Sequence, residues 1–160
     1  MAFLGLGWAN LRSNDTAVSE GGHTRASVAR YPEHQIVARW LRCGAQSEIV
    51  SHGDSDAWLH VVSGAIVEER WTSGNDGWDF EVRHLRTGYS SLLPKGALHR
   101  LAASTDASIV TTYSPGPPIE RAIKHGVLLR QLTRARERVL GGAIFRNTSV
   151  ELGAPTDDER

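Results

Sequence analysis

Seven histidines and one cysteine are the side chains best able to bind a metal or move a proton near neutral pH in this 160-residue chain. His52 ends a strand candidate at residues 48–52, and His99 opens another at 99–102. Imidazole ligates Fe, Ni and Zn, and its neutral form is a general base. Two imidazoles alone make a weak metal site, so a third donor is needed. Glu48 shares a strand face with His52 by two-residue parity, and Asp54 and Asp56 follow in the adjoining turn. His60 is out of phase with Ala57, Leu59 and Val61, which should face inward, so it is expected to point away. Cys43 lies beside a turn and reads as inert. A purely structural role for the two buried-looking histidines is the competing expectation.

These side chains need a scaffold, and the sequence patterning implies one. Strand candidates fall at residues 34–42, 48–52, 58–63, 65–71, 78–86, 89–93, 99–102 and 108–114. Turn residues separate them, including Gly53-Asp54-Ser55, Ser73-Gly74-Asn75-Asp76-Gly77, Thr87-Gly88 and Pro94-Lys95-Gly96. Many short, closely spaced strands predict an antiparallel sandwich or barrel. Residues 1–30 are weakly patterned and are expected to form a loop with one short helix. Past Pro115-Gly116-Pro117-Pro118, helical spacing of Ile119, Ile123, Val127, Leu128 and Leu132 predicts an amphipathic helix over 119–142, stopped by Gly141-Gly142. Residues 143–160 are expected to be a flexible tail. Trp40, Trp58, Trp71 and Trp78 read as core. The helix, with its Arg130, Arg134, Arg136 and Arg138, is expected to cover one barrel end or to pack on a second copy in a homodimer.

Composition narrows the function classes. Lys plus Arg and Asp plus Glu number 18 each, so no charge excess invites nucleic acid. No stretch approaches the roughly 18 apolar residues needed to cross a bilayer. One cysteine cannot form an internal disulfide. A cytoplasmic protein without nucleic-acid or membrane partners is the expectation.

Spacing then carries a resemblance. Gly88, five residues, Pro94-Lys95-Gly96, two residues and His99 reproduce the second sequence box of the cupins. The first box keeps its glycines, Gly44 and Gly64, and its second histidine, His52. Val50 stands where the first histidine would be, and Ala57 where the glutamate would be. Tyr113-Ser114-Pro115-Gly116-Pro117-Pro118 and Trp40-Leu41-Arg42-Cys43-Gly44 resemble the cysteine-dioxygenase-type branch. The resemblance covers roughly residues 30–118. It implies an all-β fold, a single small cupin barrel over 31–118 followed by the C-terminal helix.

The same resemblance implies an oxygenase. In that branch three histidines hold Fe(II), and a thiol is oxidised by O2. Carried onto this chain, the metal ligands are His52 and His99, with Glu48 as candidate third donor. Fe(II) is the implied cofactor, with Ni(II) or another divalent ion as the alternative. Tyr113 is the implied catalytic residue. The branch's substrate-carboxylate arginine falls on Glu33, a reversed charge, leaving Arg39 or Arg83 to bind substrate. Ile109 and Thr111 replace the serine and histidine that precede the tyrosine in the branch's relay. The expected partners are O2 and a small sulfur- or amine-bearing metabolite. Two alternatives stand beside this: a non-redox isomerase or lyase using histidine as general base, and a degenerate cupin that only binds a small ligand.

Overall fold

The structure is a computed structural model that describes residues 18–20, 23–30 and 33–148, with side chains placed for 33–141. Among these residues the chain forms eleven strands and one helix: β1 Val18–Glu20, β2 His23–Arg30, β3 Gln35–Leu41, β4 Val50–Ser51, β5 Asp56–Ser63, β6 Ala65–Gly74, β7 Gly77–Arg86, β8 Ser90–Leu93, β9 Leu98–Ala103, β10 Ala107–Ser114, β11 Arg121–Ala122 and α1 Gly126–Thr148. The strands build two antiparallel sheets. One runs β1-β2-β3-β10-β5-β8, and the other runs β11-β4-β9-β6-β7.

The sheets face each other because strand alternation turns one row of side chains in each toward the other sheet. In β10, Ala107, Ile109, Thr111 and Tyr113 are buried, while the residues between them are half-exposed. Leu41, Leu59, Val61 and Ile109 of the first sheet meet Ile66, Leu85, Leu101 and Ala103 of the second in one apolar cluster. A second cluster lies outside the barrel. There α1 lays Leu132 and Ala135 on Trp71, Phe80 and Leu98. The Trp71 indole donates to the Leu132 carbonyl at 2.9 Å, and Glu69 pairs with Arg136 at 2.8 Å, so one strand anchors the helix twice.

Several expectations need correction. Residues 18–30, expected as loop with a short helix, add β1 and β2 to the sheet beside β3; residues 1–17 lie outside the described part. The helix begins at Gly126 rather than 119, because residues 121–122 pair with β4 and the Ile123 amide donates to the Ile49 carbonyl at 2.8 Å. Backbone groups already satisfied by a sheet gain nothing from a helix. The helix also runs past Gly141, which keeps a helical backbone. A glycine stops a helix chiefly by adopting a left-handed conformation, and otherwise costs only about 1 kcal/mol. That extension takes in residues 143–148 of the expected tail; residues 149–160 lie outside the described part. Among the tryptophans, Trp71 is fully buried but Trp58 is 55% exposed, on the outer row of β5.

Gly64 tests how tightly the β5–β6 corner is built. It has φ +80°, and a Cβ there would overlap the Asp106 carbonyl and stand 2.8 Å from Ala107 Cα. Gly88 has φ +86° with open space around it. Gly88→Ala is expected to cost about 1–2 kcal/mol, the left-handed penalty alone. Gly64→Ala is expected to cost about 3 kcal/mol or more, since backbone must also move. Denaturant melts of the two variants check this, and equal losses would contradict the close approach.

Candidate active site

His99 lies on β9 between Leu98, which packs under the helix, and Arg100, so strand alternation turns its ring into the barrel. Val50 pairs directly with His99 across β4–β9, and His52 follows just after β4 ends. Gly53, at φ +62°, turns the chain away immediately afterwards. The two rings therefore converge. Their Nε2 atoms are 2.9 Å apart, with planes at 70°, and both residues are 2% exposed.

A carboxylate backs His99. Glu68 of β6 is fully buried, and its Oε1 lies 3.2 Å from His99 Nδ1. Its Oε2 accepts from the Ser91 hydroxyl at 2.6 Å and from Arg70 at 3.2 Å. Burial by itself would raise the Glu68 pKa. The hydrogen bonds from His99 and Ser91, with the charges nearby, outweigh burial and hold it at about 2. Burial lowers the His99 pKa, and Arg39 and Arg70 push the same way against the opposing pull of Glu68. At neutral pH the pair is thus a carboxylate accepting Nδ1–H from a neutral imidazole. That leaves the His99 Nε2 lone pair aimed at His52.

On the far side, the Tyr113 ring centroid is 4.9 Å from that of His52. Arg39 donates to the Tyr113 hydroxyl at 2.7 Å and to Glu120 at 3.0 Å. Glu120 Oε1 is 3.4 Å from the tyrosine oxygen and 3.7 Å from His52 Nδ1. Burial opposes the Arg39 charge, but Tyr113 and Glu120 more than compensate and raise its pKa. One inward position along β10, the Thr111 hydroxyl is buried and has no hydrogen-bond partner among the described residues.

His52, His99, Tyr113 and Arg39 thus come together, and the other sequence candidates do not. Glu48, expected as third metal donor, is outside the two-residue β4, so strand parity does not govern it. Its carboxylate is half-exposed and paired with Lys124 at 3.1 Å. Glu33 is exposed two residues before β3, where its carbonyl accepts from the Gly116 amide. Arg83 pairs with Glu81 and reaches the cluster only through Ser91, at 3.4 Å. His60 faces outward onto Ser90, as its phase predicts. Sequence reasoning missed Glu68, Arg70, Ser91 and Glu120. Parity with inward-facing Ile66 would have placed Glu68 and Arg70 on the interior row of β6. No local signal marks Glu120.

The donor set fits an ion only in part. Imidazole–metal bonds of about 2.1 Å meeting near a right angle put two nitrogens about 3 Å apart, close to the observed separation. A carboxylate on the outer nitrogen of a ligating histidine is the usual support for such a bond. However, Val50 and Ala57 offer hydrocarbon, and Asp56 is occupied by the Lys95 amide at 2.8 Å. Among the described residues no group of three His, Cys, Asp or Glu is gathered that could hold an ion. The residues therefore fit a divalent ion held by two imidazoles and completed by donors from substrate or water. They do not assemble a three-histidine centre.

No family model matches the sequence, and no curated protein is detectably similar to it. Solved structures do match. KdgF from Halomonas sp. superposes with a TM-score of 0.54 at 25% identity, over 65% of this chain and 90% of that one. An RmlC-like cupin from Shewanella frigidimarina NCIMB 400 gives a TM-score of 0.54 at 21% identity, over 65% and 86%. An oxalate oxidase gives 0.59 at 17% identity, over 68% of this chain but only 59% of its own. The chain has the cupin fold, a double-stranded β-helix, with a C-terminal helix packed on its outer face. Among the described residues, no helix is long and apolar enough to cross a membrane.

Glu68 gives the site a pH signature. Its folded pKa, about 2, lies below the ordinary value of 4.5, so its charge stabilises the fold above pH 4.5 and the gain is lost as pH falls toward 2. The lowered His99 pKa acts with the same sign, since protonation favours the unfolded chain. Glu68→Gln is expected to melt at a lower temperature at pH 7 and to show a flatter acid limb between pH 4.5 and 2. Melting temperature against pH checks this; parallel curves for variant and wild type would contradict it.

Proposed function

We propose that this protein is a metal-dependent cupin oxygenase of the thiol-dioxygenase kind, oxidising a small sulfur- or amine-bearing metabolite with O2 at the His52–His99 pair. The observation that carries the reading is the convergence of two buried imidazole nitrogens at 2.9 Å, one of them backed by an ionised carboxylate. His52 and His99 would hold Fe(II), or Ni(II) in its place. Such an ion supplies a redox-active centre at which a thiolate and O2 can meet.

The chain's own residues set the terms around it. Glu68 accepts a hydrogen bond from His99 Nδ1–H and so keeps Nε2 a lone-pair donor. Ser91 and Arg70 fix that carboxylate in turn. Tyr113, braced by Arg39, presents its ring to His52 and its hydroxyl to the same corner. Val50 and Ala57 contribute no donor, so remaining coordination falls to substrate or water, and a substrate bearing a thiolate or amine would supply it. The apolar cluster that begins beyond Thr111 keeps bulk water from the far side of the site.

The same 2.9 Å separation supports a second reading. It is also a hydrogen-bond distance, so the pair could share a proton and serve a non-redox reaction as general base. The two readings part on metal content. Protein expressed with iron and nickel supplements is expected to carry a divalent ion, measured by elemental analysis, and to consume O2 with a thiol or aminothiol substrate. His99→Ala is expected to lose both the ion and the O2 uptake. Undiminished turnover by metal-stripped protein, without O2 consumption, would overturn the oxygenase in favour of the acid–base reading.

A further inference from the structure

Glu120 contributes a carboxylate to the site from outside the barrel strands. Its Oε1 alone approaches three groups: Arg39 at 3.0 Å, the Tyr113 hydroxyl at 3.4 Å and His52 Nδ1 at 3.7 Å. A guanidinium and a phenol 2.7 Å apart, beside an imidazole, are what a small carboxylate needs to be recognised. The corner is an anion subsite, and the chain fills it with its own side chain. Solvent still reaches it: the Arg39 side chain is 15% exposed and that of Glu120 28%.

This carboxylate is not carried on a free arm. Arg121, the next residue, pairs with Ser51 in the β11–β4 ladder, and Ile123 is bonded to Ile49. Arg39 is held as firmly, since β3 pairs along its length with both β2 and β10. Each partner is fixed by backbone, so the ion pair is part of the frame of the site.

We infer that Glu120 is a specificity-determining residue, a resident carboxylate that neutralises Arg39 and denies this corner to ligands bearing a carboxylate of their own. A second carboxylate would have to share one guanidinium with a fixed like charge in a poorly solvated corner. The small molecule taken at the His52–His99 pair therefore ends, on this side, in an uncharged group or an amine. The inference refines the ligand class of the proposed reaction, but it concerns binding to the apoprotein and does not depend on the metal.

Acetate, titrated into metal-free protein, tests it directly. Side-chain signals of arginine Nε–H and of the histidine rings in 15N-labelled protein report occupancy. Wild-type protein is expected to show no saturable response at tens of millimolar acetate. Glu120→Ala should bind acetate at least about tenfold more tightly than wild type. Glu120→Gln keeps an acceptor for Arg39, so it protects the fold where the alanine variant does not, and it should gain in the same direction. Ethylammonium, of opposite charge, should gain in neither. Saturable acetate binding by wild-type protein would overturn the inference. So would a folded Glu120→Gln variant whose acetate affinity stays within about twofold of wild type. Metal content, measured separately, tells failure here from failure of the oxygenase reading.

Discussion

Charge buried inside a small barrel must be matched at once, and the site follows from how this chain matches it. Glu68 is fully buried, and an unpaired carboxylate there would be prohibitively costly. Ser91, Arg70 and His99 all turn toward it. Once His99 donates its Nδ1–H to Glu68 in a hydrogen bond, its other nitrogen can only accept or ligate. The facing nitrogen of His52 is thereby confronted with a lone pair, and the two rings need a cation between them or a proton on one. The chemistry open to the site is thus narrowed by one carboxylate that touches neither the second histidine nor the solvent.

The interior is divided accordingly. Aliphatic residues from both sheets fill one end of the barrel, while the histidines, Glu68 and Arg39 gather toward the other, where Tyr113 packs with Val37, Ala57, Leu93 and Ala97. Thr111 stands on the strand that runs between the two regions. A polar end without the apolar one would lack the burial that lowers the His99 pKa. An apolar end alone would be a barrel without a site.

Much of this was legible in the residues. Glycine and Pro-Gly punctuation marked the barrel corners because those turns need backbone conformations other residues avoid, and the strands from β3 to β10 fall close to where the punctuation puts them. His99 was legible for the same reason, being tied to Gly88, Pro94 and Gly96 by spacing. What was not legible depends on distant pairing. The Ile119 and Ile123 spacing imitated a helix, but partners some seventy residues earlier drew that backbone into a sheet. Glu48 obeyed a parity that holds only within a strand, and the strand there is two residues long. Glu120 enters the site only through that same sheet pairing, so nothing local announces it. The cupin fold is carried by the frame residues, whereas Val50 and Ala57 show that the interior can change while the frame stays.

Strand β6 is read on both of its faces. Glu68 and Arg70 serve the interior, while Glu69 and Trp71 anchor the helix on the outside. Neighbouring residues of similar type thus carry opposite duties. A shift of one residue in pairing would send the indole into the polar chamber and strand Arg70 beneath the helix. The Glu-Glu-Arg-Trp run therefore works as a two-sided key for its alignment. Correct seating of the helix and correct assembly of the histidine pair thus depend, in this chain, on the same register.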